Sequence, residues 1–376
     1  MQFVHISDNH LGYRQYNIDE REKDLYDSFN QCIDKIIEIK PDFVVHSGDL
    51  FDGPEPPINA IYTAMQGFSR LKEHNIPIYI IHGNHDKPKR ITKGSPFKIL
   101  KNVLGSYLRV FTEKTKFHVH DGEVFIGGIN HTVKNKIGDV YTNLEIINNE
   151  SKDYKKKILL FHQNVYPYLP EYELQLNDFP GEFDYFAGGH IHQRALKPAG
   201  EESGVFAYSG STEIISYDEY RDYEKNGKGF YLVDMSGDFD INDVESIHIK
   251  CRDFIIDWEI KSESELKEFL NTLNNHNQKK PVIHCKTTRQ FYETLNEILK
   301  EKSLYYKLNV LEDSEESAHI VNINENIDEV FKEYLRNKKF DVDFVYELYR
   351  KVLNGDEDCL PYVEDYFKKE YSHLKD

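Results

Sequence analysis

Apolar runs of strand length alternate with amphipathic stretches of helical period from the start of the chain. Met1 to Ser7 is apolar and ends at Asp8-Asn9-His10, after which Leu25, Phe29, Cys32, Ile33, Ile36 and Ile37 recur on one helix face. Pro41 closes that helix. Phe43, Val44 and Val45 predict a second strand ending at Gly48-Asp49, followed by a helix with Ile58, Ile61, Met65, Phe68 and Leu71 on one side. Ile78 to Ile81 predicts a third strand, ending at Gly83-Asn84-His85-Asp86. A β-α-β-α-β order is the mark of an α/β fold with a mostly parallel sheet covered by helices.

Further strand-like runs at Val124 to Ile126, Ile158 to Phe161, Tyr185 to Ala187, Val205 to Tyr208 and Phe230 to Val233 exceed what one sheet needs, so two stacked sheets are expected. Met235-Ser236-Gly237-Asp238 predicts a turn and a domain boundary. Beyond it, 240–323 predicts a smaller α/β domain. Its strands are Val244 to Ile249, Phe254 to Ile260, Pro281 to Cys285, Leu304 to Leu311 and His319 to Ile323, with helices at Ser262 to Leu273 and Gln290 to Leu299. From 327 to 376 short amphipathic helices carry Val330, Phe331, Leu335, Phe344, Val345, Leu348, Tyr349, Val352, Tyr362, Tyr366 and Phe367. Without an evident core of their own, they pack back on the chain or meet a partner.

Composition narrows the class. The 376 residues, 39% hydrophobic and 13% aromatic, exclude a disordered chain. No apolar run is long enough for a membrane span, and the N-terminus lacks a signal-peptide pattern, so an intracellular protein is expected. Cys32, Cys251, Cys285 and Cys359 are widely spaced, which predicts buried thiols and neither a disulfide framework nor a zinc ribbon. A formal net charge of -18 disfavours wrapping nucleic acid by bulk electrostatics, so any polyanion has to be held locally, by a basic patch or by bound cations.

Histidine points to the chemistry. Of the 17, twelve lie in the first 192 residues, and several sit where a predicted strand ends. Asp8-x-His10, Gly48-Asp49, Gly83-Asn84-His85-Asp86, His162 and Gly189-His190-Ile191-His192 supply two carboxylates, an amide oxygen and four imidazoles besides His85 and Asp86. That set suits two divalent ions, and nitrogen and oxygen donors without thiolate favour Mn²⁺, Fe or Zn²⁺ over Ca²⁺. His5, His46 and His82 are expected to be packed structural residues, and His118, His120 and His131 have no assigned chemistry.

The order D-x-H, G-D, G-N-H-D, H, G-H-x-H over residues 1 to about 235 resembles the calcineurin-like metallophosphoesterases. Asp8-Asn9-His10-Leu11-Gly12, Gly48-Asp49-Leu50-Phe51 and Gly189-His190-Ile191-His192 are similar to the SbcD branch, and within it to archaeal nucleases of DNA double-strand breaks. The resemblance implies a two-sheet sandwich (1–235), a capping domain (240–323) and a C-terminal segment (327–376) that binds an SMC-like ATPase, Rad-fifty. It implies a Mn-dependent 3′–5′ exonuclease on duplex ends and endonuclease on single strands, acting through a two-metal-activated water. Asp8, His10 and His192 would hold one metal and Asn84, His162 and His190 the other, with Asp49 bridging. His85 would stabilise the transition state or protonate the leaving oxygen, oriented by Asp86. A homodimer through helices of the catalytic domain is also implied, with Ile58 to Leu71 and Tyr62 as candidates, and a location at the archaeal nucleoid.

Related nucleases often carry His after Gly-Asp-Leu-Phe, where this chain has Asp52. Arg14, Lys87, Lys89 and Arg90 follow the motifs and are candidate DNA contacts. Two rival readings share the motifs: a phosphodiesterase of cyclic nucleotides or other small molecules, and a scaffold of the same fold without catalysis.

Overall fold

The computed structural model describes residues 1–86, 95–167, 172–199, 204–275, 279–311, 335, 341–354, 361–363 and 366–367. The elements of the larger domain run β1 (Gln2–Ile6), α1 (Asp19–Ile39), β2 (Phe43–His46), α2 (Ile58–Glu73), β3 (Ile78–Ile80), α3 (Pro96–Leu104) and β4 (Leu108–Val110). They continue β5 (Phe117–His120), β6 (Val124–Ile129), α4 (Ile137–Glu150), β7 (Lys156–Phe161), β8 (Val165–Tyr166), β9 (Leu174–Gln175) and β10 (Tyr185–Gly188). Last come β11 (Ala195–Pro198), β12 (Val205–Tyr208), α5 (Tyr220–Asn226), β13 (Lys228–Asp234) and β14 (Val244–Ile249).

Two six-stranded sheets result, ordered β14-β13-β1-β2-β3-β4 and β11-β12-β10-β7-β6-β5. Period-two alternation explains how they stack. In β1, Val4 and Ile6 face the core shared with α1 and α2, whereas Phe3 joins Phe43, Val45, Tyr79, Ile158, Leu160 and Tyr185 between the sheets. Both faces are therefore buried, which is why these strands read as unbroken apolar runs. β1 to β4 are parallel, as are β6, β7, β10 and β12. The carboxyl ends of parallel strands therefore gather along one edge of each sheet, where loops can converge.

The smaller sheet is β15 (Phe254–Ile260), β16 (Val282–Thr287) and β17 (Tyr305–Val310), with α6 (Glu263–Asn275) and α7 (Arg289–Lys302) between these strands in the chain. One expectation is corrected. Val244 to Ile249, read as part of the smaller domain, is β14 and pairs with β13 throughout, from Val233↔Val244 to Lys228↔Ile249. The larger sheet thus continues past the turn near Gly237. The predicted strand His319 to Ile323 lies outside the described residues.

By contacts the chain divides into Met1–Cys285 with Thr294–Leu308, and Lys286–Glu293 with Asn309–Asp376. In the first unit Asp24 of α1 is a hub. It accepts from Arg21 at 2.7 Å, Arg252 at 2.5 Å and Lys279 at 3.0 Å, tying α1 to the chain around β15 and β16. In the second unit, helix Val342–Asn354 carries Phe344, which stacks on Tyr366 at 3.6 Å and Tyr362 at 5.5 Å. Val330 and Phe331 lie outside the described residues. No described helix is long and apolar enough to cross a membrane.

Candidate metal centre

Every predicted motif follows a strand of the two parallel sets. Asp8 to His10 follow β1, Asp49 follows β2, Asn84 to Asp86 follow β3, His162 follows β7, and His190 and His192 follow β10. The loops are zipped together by backbone bonds, Asp8 N to Gly48 O at 3.0 Å and His10 N to Asp49 O at 3.1 Å. Asp8, His10, Asp49 and His190 all have positive φ (52°, 46°, 53° and 87°), a conformation that costs non-glycine residues energy and that this hydrogen-bonded surround holds in place. Glycine is required at two approaches. A Cβ on Gly83 would lie 2.0 Å from Asp49 Oδ1, and one on Gly48, itself at φ 93°, would lie 2.7 Å from His162 Nδ1.

All seven expected ligands converge. One oxygen or nitrogen from each of Asp8, His10 and His192 lies within 4.8 Å of the others, and the same holds for Asp49, His162 and His190. Asn84 Oδ1 lies 3.0 Å from His162 Nε2 and 2.9 Å from His190 Nδ1. Asp49 Oδ2 stands between the two groups, 3.7 Å from His10 Nε2 and 3.2 Å from His162 Nε2. His10, Asp52 and His85 form a third such group.

The outer ring nitrogens decide what the inner ones can do. His10 Nδ1 meets Asp52 Oδ1 at 3.2 Å, His192 Nδ1 meets Glu219 Oε1 at 2.8 Å, and His162 Nδ1 meets the Ser47 carbonyl at 2.6 Å. These acceptors assign the proton to Nδ1, so in each neutral ring Nε2 carries a lone pair aimed inward. His10 Nε2 and His192 Nε2 then face each other at 3.1 Å. Two lone pairs at that distance repel unless a shared proton or a cation lies between them, and the outer acceptors leave the cation as the partner both rings can serve while neutral. The donor set, carboxylates, imidazoles and one amide without thiolate, therefore fits divalent cations.

Without a cation the electrostatics favour a second proton on His162, which a metal ion at Nε2 would displace. Burial opposes a charged His162, but the Asp49 carboxylate outweighs it and holds the imidazole up at about 9. Burial would likewise raise Asp49, yet His162 and His10 hold it far below the usual carboxylate range. Burial and the neighbouring His162 push His190 down to about 3. Asp86 is pushed up to about 7 by burial and by the charge of Asp49.

His85 is 40% exposed beside this cluster, and its Nδ1 meets the Asp52 carbonyl at 2.7 Å. The expectation that Asp86 orients it is corrected: the Asp86 carboxylate accepts from the backbone of Asp49, Phe51 and Gly83 and shapes the loops instead. Glu219 and Lys228 went unnoticed in the sequence. Lys228 Nζ, fully buried, reaches Glu219 Oε2 at 2.6 Å and the His192 carbonyl at 2.9 Å. His131 also proves a neighbour, its ring 5.7 Å from that of His190. His5 and His46 are buried as expected, through Tyr185 and Ser47 for His5 and Asn9 for His46. Arg14 is paired with Asp19 at 2.6 Å. Lys87, Lys89 and Arg90 lie outside the described residues.

Comparison with known proteins agrees with this geometry. Residues 1–194 match the calcineurin-like phosphoesterase family. The chain is 55% identical over 374 residues to the DNA double-strand break repair protein Mre11 of Methanococcus maripaludis, covering 99% of this chain and 100% of the relative. It is 44% identical to the protein of that name from Methanocaldococcus jannaschii, over 99% of this chain and 100% of the relative. Against that of Sulfurisphaera tokodaii it is 37% identical, over 75% and 72%. With its strand-end cluster and its full-length similarity, the chain belongs to the calcineurin-like phosphoesterases and, among them, to the archaeal Mre11 family.

Proposed function

We propose that the protein is a Mn²⁺-dependent DNA nuclease of double-strand-break repair, acting 3′–5′ on duplex ends and endonucleolytically on single strands. The observation that carries this reading is the inward-facing set of seven ligands built on a chain related end to end to proteins named for break repair. Asp8, His10 and His192 would hold one divalent ion and Asn84, His162 and His190 the other, with Asp49 positioned to reach both. When bound, such ions make water nucleophilic near neutral pH and neutralise charge on phosphoryl oxygens.

The protein's own groups do the remainder. Asp52, Glu219 and the Ser47 carbonyl accept from Nδ1 of His10, His192 and His162, so that each neutral ring presents the lone pair of its Nε2 to the centre. The Asp52 carbonyl stabilises a protonated His85 ring through Nδ1, leaving Nε2–H to donate to a phosphoryl or leaving oxygen.

Partners follow from surfaces. Ile58 is 83% and Tyr62 57% exposed on α2, and Ile99 and Val103 are exposed on α3. Large apolar side chains exposed on two packed helices support a homodimer through this face, placing two centres for two DNA ends. In the C-terminal segment, Phe344, Tyr362 and Tyr366 beside Asp341 and Asp343 suit a helix-in-groove contact with an SMC-like ATPase. The chain after β14, from 250 to 323, is our candidate for the capping domain, and the setting is intracellular, at the nucleoid.

Dialysis of the full-length protein against a chelator abolishes cleavage of duplex DNA with free ends, and Mn²⁺ restores it. Cleavage that survives removal of metal overturns the reading. The net charge of -18 and the Arg14–Asp19 pairing favour one second reading, a small phosphodiester as substrate. Turnover of a chromogenic diester far above that of DNA would establish it.

A further inference from the structure

Asp52 touches two imidazoles by two different groups. Its carboxylate Oδ1 lies 3.2 Å from His10 Nδ1, and its backbone carbonyl lies 2.7 Å from His85 Nδ1. The carboxylate itself is 4.0 Å from His85 Nδ1, beyond hydrogen-bond range. We propose that Asp52 is a positioning residue: its side chain sets the tautomer of His10 for cation binding, while its backbone separately orients His85.

The backbone around Asp52 is fixed independently of its side chain. Leu11 N donates to Leu50 O at 3.0 Å, Asp52 N donates to Leu11 O at 3.1 Å, and Leu11 and Phe51 form a bridge. The loops after β1 and β2 thus continue the parallel sheet, and they place Asp52 beside His10 whatever side chain it carries. His10 is 3% exposed, so its outer nitrogen has little access to water if the carboxylate is removed. It must then keep a buried, unpaired Nδ1–H or move the proton to Nε2, where it blocks the lone pair aimed at the centre. Asp52, 34% exposed, can be truncated without opening a core cavity.

This inference rests on the proposed cation-dependent function and refines one of its two sites. The test uses chelator-stripped full-length protein titrated with Mn²⁺ in a calorimeter, with melting curves to confirm folding. Wild type takes up two ions. Asp52→Ala is expected to bind one of them roughly 10- to 100-fold more weakly and the other as before. Asp52→Asn, which keeps an acceptor oxygen, is expected to fall between Asp52→Ala and wild type. At saturating Mn²⁺, Asp52→Ala should regain a larger share of its lost turnover of a small diester than it shows at low Mn²⁺, because the carbonyl that orients His85 remains. An Asp52→Ala isotherm that overlays wild type, or an Asp52→Asn protein no better than Asp52→Ala, overturns the inference while leaving the two-cation reading standing. A wild-type chain that takes up no Mn²⁺ defeats both.

Discussion

Glu219 is 27 residues beyond His192 in the chain and 2.8 Å from its ring. Burial disfavours its charge, but Lys228 and His192 outweigh that and hold it far below the usual glutamate range. Glu219→Ala strands the buried Lys228 ammonium, so a loss of roughly 3–5 kcal/mol is expected in denaturant unfolding. Glu219→Gln keeps an acceptor for His192 and should lose less. His85→Ala acts on chemistry alone. Turnover should fall by about 10²- to 10⁴-fold with Mn²⁺ uptake unchanged, as measured by parallel calorimetry and DNA cleavage. The seven candidate ligands were legible in the sequence because each lies in a short polar motif just past a strand, where the apolar run stops. Glu219 was not, since its role exists only once the loop after β12 is folded against His192, and an isolated Glu in a helical stretch reads as solvated surface.

Among elements, α1 is anchored to the region of the smaller sheet through Asp24. Burial would raise its carboxyl pKa, but Arg252, Arg21 and Lys279 together hold it below the ordinary carboxylate value. A folded pKa below the unfolded one means this stabilisation is complete above about pH 4 and is lost as pH falls through the lower folded value. Asp24→Ala is expected to cost about 3–5 kcal/mol at pH 7, because Arg21 and Arg252 are left buried without their shared partner. The difference between variant and wild type should vanish in strong acid, as measured by urea unfolding across pH. The strands β1 to β3 and helices α1 and α2 were visible as patterns because one face or both are buried. Strand β4, with only Leu108 fully buried, and helices α3 and α4, with Ile99, Val103, Tyr141 and Ile146 exposed, broke the expected alternation and escaped notice. β14 was misassigned because Gly237 and Asp238 make a convincing boundary, whereas the pairing that returns the chain to β13 is a tertiary fact.

For the whole molecule, the sandwich buries neutral histidines, His5 between its sheets against Tyr185 and His46 on the other face of β2 against Asn9. Burial pushes His5 and His46 down to about 3. Their folded values lie below the unfolded 6.5, so the unfolded chain binds more protons in acid. Stability should then fall by about 1.4 kcal/mol per pH unit for each residue below pH 6.5, flattening near pH 3, as read from melting curves on metal-free protein. The proposed dimer has its own test. Ile58→Glu with Tyr62→Glu should give a monomer by light scattering while turnover of a small diester is kept, and a dimer that persists would place the interface elsewhere. The most direct measurement of the central claim is anomalous scattering from a crystal grown with Mn²⁺. The account predicts two peaks roughly 3.5–4 Å apart, one against Asp8, His10 and His192 and one against Asn84, His162 and His190, with Asp49 touching both. A cluster that holds no manganese, or a single ion elsewhere, would contradict it.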